Sequence, residues 1–247
     1  MRKLTTRPKN HIQHNMDNLI DISKKLIENI ENLDDLIDSY FEPVKDLTDT
    51  AGDIFSPIKA IHSLYNLNKK RKFKKFLKSY AINLNPTSFD LKNTERLKTY
   101  LKDEKNFNFL NNVIESAINS KSVFGSVILG HYAAEILSEE KVITFKELLI
   151  VDGLRELNDY ELSSFMKIYS VADLSKMVYF EQLKIKGSKF FCELTIEKLI
   201  QLRWIEKDHN TYMGSSKSLN FTSAESAEEV FFLVKDTEVY EELLNYE

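Results

Sequence analysis

Residues 122–137, SVFGSVILGHYAAEIL, form the longest weakly charged stretch of the chain. Small residues recur within it at Gly125, Gly130, Ala133 and Ala134, and they leave room for a neighbouring helix to approach closely. A helix that is apolar on all of its sides is normally buried. We therefore predict that this segment is the central helix of the protein core.

The same stretch does not predict a membrane span. A spanning helix needs roughly 20 apolar residues, whereas this stretch is shorter and includes His131 and Glu135. The basic N-terminus, MRKLTTRPK, is not followed by an uninterrupted apolar segment, so a secretory signal is not expected either. The single cysteine, Cys192, excludes an intramolecular disulfide and a cysteine-based zinc cluster. We expect a cytoplasmic protein without a membrane span, a metal or a cofactor.

The composition favours a helical fold around the central segment. The chain has 247 residues, 43% of them hydrophobic, which suffices for one large domain or two small ones. It contains six Gly and four Pro. Because sheet-rich folds need many tight turns that recruit these residues, their scarcity favours helices. We predict a mainly α protein built as a multi-helix bundle.

An amphipathic helix is predicted before the central segment, over residues 19–40. Its apolar residues recur at steps of three and four, at Leu19, Ile22, Leu26, Ile30, Leu33, Ile37 and Tyr40. This stripe can pack on its own domain, or it can form a coiled-coil seam in a homodimer through residues 19–40. Residues 1–17, which precede it, are basic and polar and are expected to be flexible.

The second predicted helix carries the most concentrated charge in the chain. Pro43 and residues 48–53 end the first helix, because Gly costs about 1 kcal/mol and Pro about 3 kcal/mol inside a helix. A helix of about 27 residues is then predicted for residues 53–80. Within it, residues 69–78, KKRKFKKFLK, contain seven positive charges and no negative one, although the whole chain has a net charge of −4.

Helical periodicity places these charges opposite a core stripe formed by Phe73, Phe76 and Leu77. The candidate binding residues are Lys70, Arg71, Lys72, Lys74, Lys75 and Lys78. Lys69 differs from them, because it stands on the apolar stripe itself. The basic face can be solvated, or it can pair with acidic residues at Asp34, Asp35, Asp38, Glu139 and Glu140. A solvated face is the simplest interpretation, and the alternatives are that it binds a nucleic-acid backbone, an acidic protein partner or an anionic membrane.

The second half of the chain repeats a helix-start pattern. Residues 144–147, TFKE, and residues 158–161, NDYE, each place a capping side chain three residues before a glutamate. These patterns predict helices at residues 145–156 and 159–169. A further helix is expected at residues 171–182.

The C-terminal residues predict a small β element. In order, the expected elements are a helix at 195–203, a strand at 204–205, a polar turn at 206–210, a strand at 219–221, and a helix capped by TSAE at 222–225. This order outlines a winged-helix-like end with a C-terminal β-hairpin. We accordingly divide the chain into a flexible N-terminus (1–17), a helical domain with the long basic helix (18–140) and a helical C-terminal domain (141–247).

Four segments carry a resemblance to a known family. They are IFSPIK (54–59) before the long charged helix, IESAI (114–118), KLIQLRWI (198–205) and LNFT (219–222). In this order they are similar to the abortive-infection alpha family of bacterial phage-defence proteins, over roughly residues 50–235. Arg203-Trp204 stands where a glycine usually precedes the wing. The resemblance implies a cytosolic, helical, non-enzymatic protein from a bacterial defence island or mobile element.

Catalytic chemistry is not indicated by the residues. The five histidines show no metal-binding spacing of the His-Glu-x-x-His kind. His131 and Glu135 lie one turn apart on the central helix and could exchange a proton in a pocket, although a buried histidine with one hydrogen bond is the simpler interpretation. We expect a non-catalytic binding or effector protein in antiviral defence or its counteraction, acting through protein–protein contact. The alternative is a winged-helix nucleic-acid-binding regulator that uses residues 69–78.

Overall fold

A computed structural model of the chain describes residues 9–39, 67–185, 188–207 and 220–246. Within these ranges the chain forms eleven α-helices and three short strands. The helices are α1 (Lys9–Glu28), α2 (Leu33–Ser39), α3 (Leu67–Asn83), α4 (Leu91–Lys102), α5 (Glu104–Asn119), α6 (Val123–Glu139), α7 (Phe145–Glu156), α8 (Asp159–Tyr169), α9 (Lys189–Gln201), α10 (Glu225–Lys235) and α11 (Tyr240–Leu244). The strands are β1 (Val178–Tyr179), β2 (Ile205–Lys207) and β3 (Asn220–Ser223). The prediction of a mainly helical protein with a small β element is confirmed.

The central helix α6 is buried along most of its length, as the sequence predicts, and its C-terminal half has a partly exposed face, at His131, Glu135 and Glu139. Its residues without exposed surface include Ile128, Leu129, Ala134, Ile136 and Leu137. The helix begins where the Ser122 hydroxyl accepts a hydrogen bond from the Gly125 backbone N–H at 2.8 Å. Helix α3 makes its most extensive contact with α6. A Cβ atom at Gly130 would lie 2.4 Å from the Phe76 carbonyl oxygen, so the glycine is what allows the two backbones to approach this closely.

The N-terminal helices pack on the chain itself. Five residues of the predicted stripe are buried, at Leu19, Ile22, Leu26, Leu33 and Ile37, so they are not exposed to form a homodimer seam and that expectation is wrong. Ile30 is 46% exposed because a 3₁₀ turn at Ile30–Asn32 interrupts the helix and rotates it off the stripe. Helix α1 starts at Lys9, inside the segment expected to be flexible, whereas residues 1–8 and Tyr40 lie outside the described ranges.

Helix α3 holds the basic segment rigidly on the core. Its buried face contains Phe73, Phe76, Leu77 and Tyr80, as predicted. The rings of Phe76 and Tyr80 stack with their centroids 6.0 Å apart. The first part of the long helix predicted for residues 53–80 lies outside the described ranges up to residue 66.

The two capping patterns form as predicted at the starts of α7 and α8. The Thr144 backbone N–H donates a hydrogen bond to Glu147 Oε2 at 2.6 Å, and the Thr144 hydroxyl caps the helix in return. The Asn158 backbone N–H donates to Glu161 Oε2 at 2.9 Å, and Asn158 Oδ1 accepts from the Glu161 N–H at 3.0 Å. Both helices have the predicted bounds.

The helix expected at residues 171–182 does not form. The Asp173 carboxylate accepts a hydrogen bond from the Ser175 hydroxyl at 2.6 Å, which stabilises a turn in place of a helix. Beyond this turn, Val178 pairs with Phe221 in an antiparallel sheet, and a 3₁₀ turn follows at Phe180–Gln182. Pairing with a distant strand overrides the local helical pattern here.

The C-terminal sheet has the order β1-β3-β2, so the predicted hairpin of β2 and β3 gains a third strand. Helix α9 begins at Lys189, six positions before the predicted start. The expected capping by Thr222 is wrong, because Thr222 belongs to β3 and pairs with Glu206 while Ala224 precedes the last long helix. Arg203 adopts a φ of 59°, in the left-handed region where glycine is usual.

Candidate functional site

The basic residues of α3 face a groove between α2 and α3 with a volume of about 610 Å³. Five of the six candidate residues line it, namely Lys70, Arg71, Lys74, Lys75 and Lys78. Among the described residues, Asp34, Ile37 and Leu67 also line it. We call this the basic groove. Because the opposite side of α3 is buried, its cations are displayed on a rigid support.

Lys72 is the candidate that does not reach the groove. Its ammonium group donates a hydrogen bond to the Ser120 carbonyl oxygen, at the turn between α5 and α6. Burial lowers the pKa of Lys72, and the nearby Asp159 carboxylate partly offsets that effect. Lys69 turns to the same side and donates to Asn119 Oδ1 at 2.8 Å, which satisfies the charge predicted on the apolar stripe. These two lysines anchor α3 to α5.

Three cations of the basic groove have no anionic partner among the described residues. Within the described ranges, the side chains of Lys70, Arg71 and Lys75 make no hydrogen bond or ion pair. Like charges four residues apart on a helix destabilise it by about 0.2–0.5 kcal/mol per pair. Lys70 with Lys74, and Arg71 with Lys75, have that spacing. A bound anion would relieve this repulsion.

Lys78 shows how a carboxylate sits in the basic groove. Its ammonium group donates to both oxygens of Asp34, at 3.0 Å and 2.9 Å. Asp34 remains 76% exposed, so the pair is a surface one and is worth less than about 1 kcal/mol. Of the other carboxylates weighed as partners, Glu140 lies 3.1 Å from Arg96 instead. The Asp38 side chain is outside the described part of the chain.

A second exposed surface lies on α9. Phe190 and Leu194 are 62% and 47% exposed, and Glu193 and Glu197 lie beside them on the same side of the helix. We call these four residues the α9 face. Neither carboxylate makes an ion pair within the described ranges. The sequence prediction started this helix at residue 195 and so missed the face, although Phe190 followed by Leu194 four positions later was a usable signal.

A pocket of about 440 Å³ lies between α8, α9 and residues 244–246. Polar groups that line it hydrogen-bond with one another. The Ser163 hydroxyl and the Lys167 ammonium group both donate to the Tyr246 carbonyl oxygen, at 3.1 Å and 2.7 Å. Cys192 is 2% exposed, and burial raises the pKa of its thiol. Cys192 is therefore a core residue and not a reactive thiol.

His131 and Glu135 do not interact with each other in the structure. Glu135 pairs with Lys141, which also lies 3.2 Å from Glu229. His131 Nδ1 is buried and has no hydrogen-bond partner in the part of the chain that the structure describes, and burial lowers the pKa of the ring. The two residues do not hydrogen-bond with each other, so the arrangement offers no positioned proton exchange between them. No group of His, Cys, Asp and Glu within the described ranges is arranged to hold a metal ion.

Comparison of the chain with protein-family models, with curated proteins and with solved structures gives no match. Among the described helices, none is both long enough and apolar enough to cross a lipid bilayer. The basic groove, which brings together five of the six predicted binding residues, is the candidate site.

Proposed function

We propose that this chain is a non-catalytic binding protein whose basic groove holds an acidic segment of a partner protein. The observation that carries the proposal is a set of three cations, Lys70, Arg71 and Lys75, that share one groove and have no partner in the described part of the chain. The helix that carries them is fixed to the core by its opposite face. The contact between Lys78 and Asp34 in the same groove supplies an internal example of the chemistry. Leu67, which is 82% exposed, adds an apolar contact for the partner.

A protein partner is favoured over nucleic acid by the charge of the neighbouring surfaces. The order of α9, β2, β3 and α10 follows the winged-helix outline, in which α9 would take the place of the recognition helix. That helix presents Glu193 and Glu197 outward, and carboxylates repel the phosphate backbone that supplies most nucleic-acid affinity. Asp34 places a further negative charge in the basic groove itself.

The biological setting of this proposal comes from the sequence resemblance. We propose a role in bacterial antiviral defence or in its counteraction, as the similarity to the abortive-infection alpha family implies. The buried thiol of Cys192 fits the reducing cytoplasm expected for such a protein. Purification of a tagged chain from the native host should recover a stoichiometric partner, either another protein or untagged copies of this chain. Recovery of the tagged chain alone would contradict a role through protein–protein contact.

The groove is tested by fluorescence anisotropy with a labelled oligoglutamate peptide. We expect binding that weakens with salt and that falls by about tenfold to a hundredfold in the triple variant Lys70/Arg71/Lys75→Glu, since three exposed pairs together contribute up to about 3 kcal/mol. The matched control is Lys102/Lys184/Lys207→Glu, three exposed lysines on other parts of the chain. This control has the same net charge and should keep most of the affinity.

Two outcomes would contradict the proposal. An equal loss of affinity in both triple variants would mean that the peptide responds to net charge and not to the basic groove. Tighter binding of duplex DNA than of the peptide, lost in the groove variant alone, would assign the groove to a nucleic-acid-binding regulator. Circular dichroism should show that both variants keep the helical fold, because Lys70 is only half-buried and the other five substituted side chains are exposed.

A further inference from the structure

We infer that the acidic segment held by the basic groove is the α9 face of a second copy of this chain, so that copies associate head to tail. This inference rests on the proposed function, because it names the partner of the same groove. Charge, spacing and exposed apolar surface each favour the α9 face as the segment that occupies the groove. Each of these properties is present in the described residues of both surfaces.

Charge is complementary between the two surfaces. The α9 face presents Glu193 and Glu197, which are exposed and have no ion pair within the described ranges. The basic groove presents Lys70, Arg71 and Lys75, which are also unpaired there. Bringing the two together neutralises charges that each surface leaves uncompensated on its own.

The spacing of the charges also matches. Glu193 and Glu197 are four residues apart on one helix, which places their Cβ atoms about 5–6 Å apart. Arg71 and Lys75 have the same separation on α3, and so do Lys70 and Lys74. Two helices that lie side by side can therefore bring each carboxylate opposite a cation.

Apolar side chains stand next to the charges on both surfaces. Phe190 and Leu194 are 62% and 47% exposed on the α9 face, and Leu67 is 82% exposed at one end of the groove. The other side of α9 is anchored in the core through Cys192, Ile196 and Leu199. Both surfaces are thus presented by helices whose opposite faces are buried, which limits the ordering cost of association.

The contact joins two different surfaces and is therefore heterologous. Each added copy leaves one free basic groove and one free α9 face, so the assembly grows as a chain or closes as a ring. Exposed ion pairs are screened by salt. Association should consequently increase with protein concentration and decrease with ionic strength.

The experiment uses sedimentation velocity on two charge-reversed variants of the full chain. One is Lys70/Arg71/Lys75→Glu and the other is Glu193/Glu197→Lys. The wild type should associate at low salt and dissociate at high salt, and each variant alone should stay monomeric. An equimolar mixture of the two variants should associate again, because each type of contact then joins surfaces of opposite charge.

The control is Glu115/Glu238→Lys, which reverses two exposed carboxylates on other elements and should associate like the wild type. A wild type that stays monomeric at low salt, or a mixture of the two variants that stays monomeric, overturns the inference. If the monomeric protein still binds the oligoglutamate peptide through its groove, the proposed function stands with a different acidic partner. If the wild type neither self-associates nor binds the peptide, the proposed function is rejected as well.

Discussion

Gly153 of α7 lies directly against the indole ring of Trp204. A Cβ atom at Gly153 would come within 2.2 Å of Trp204 Cζ2 and 2.3 Å of Cε2. The indole is fully buried, and its N–H donates a hydrogen bond to the Leu149 carbonyl oxygen at 3.1 Å. This contact joins the C-terminal sheet to α7 and sets where α9 and its exposed face lie on the molecule.

Gly153→Ala should destabilise the protein by about 1–3 kcal/mol, because the added methyl group overlaps the indole ring. The sign is diagnostic, since the same change in an unconstrained helix stabilises it by up to about 1 kcal/mol. Urea unfolding measures the difference. Asp152→Ala, at the exposed neighbouring position, should stay within about 0.5 kcal/mol of the wild type. A neutral or stabilising Gly153→Ala would show that the ring does not approach the glycine.

Asp34→Ala should strengthen binding of the oligoglutamate peptide about twofold to fivefold, because it removes a competing carboxylate and frees Lys78. The free energy of unfolding should change by less than about 1 kcal/mol. Lys78→Ala removes the other member of the pair and should weaken peptide binding instead. If the ion pair were purely structural, the two substitutions would change peptide affinity in the same direction. Equal changes in affinity would therefore contradict the assignment of the basic groove as the binding site.

Tyr132→Phe should reduce the loss of stability at alkaline pH. The phenol is fully buried and has no hydrogen-bond partner within the described ranges. Its pKa is raised mainly by burial and to a smaller extent by the nearby carboxylates. A pKa that is higher in the folded state means that this contribution is present below about pH 10, where the unfolded phenol ionises, and is lost as the pH rises further. Above pH 10, the variant should lose up to about 1.4 kcal/mol less of its free energy of unfolding per pH unit than the wild type loses.

Tyr100 should contribute less than Tyr132 to the loss of stability at alkaline pH. Burial raises the pKa of its phenol to about 12, and its hydroxyl donates to the Lys141 carbonyl oxygen at 2.8 Å. Its contribution is therefore lost between about pH 10 and pH 12. Tyr100→Phe should flatten the alkaline slope less than Tyr132→Phe does, and it should cost about 1 kcal/mol at neutral pH for the lost hydrogen bond. The reverse ranking in unfolding measurements across this range would contradict the burial of Tyr132.

His131→Leu should make the protein less sensitive to acid. Burial lowers the pKa of the ring, although Glu135 and Asp236 act in the opposite direction. A histidine pKa that is lower in the folded state means that stability is full above about pH 6.5 and is lost as the pH falls below it. Unfolding curves at about pH 7 and about pH 5 should therefore diverge less for the variant than for the wild type. An unchanged acid dependence would show that the ring is solvated.

Local signals in the sequence predicted much of the helical scaffold. The capping patterns at Thr144 and Asn158 depend on residues only three positions apart, so the local sequence is sufficient to predict them. The all-round apolar character of residues 123–137 predicted the central helix for a similar reason. Periodicity on α3 likewise placed the basic face opposite Phe73 and Phe76.

Distant contacts decided what local patterns could not. Val178 joins a sheet with Phe221 and abolishes an expected helix, because the pairing residues are far apart in the sequence. Lys72 leaves the groove for the Ser120 carbonyl oxygen only because α3 packs beside α5.

The sequence alone therefore determined that seven positive charges share a short helical segment whose other side is apolar. Only the tertiary structure decided which of them are paired, since pairing depends on the residues that packing brings within hydrogen-bond distance. It also decided that α9 turns Phe190 and Glu193 outward, because burial of Ile196 and Leu199 against the core sets the rotation of that helix.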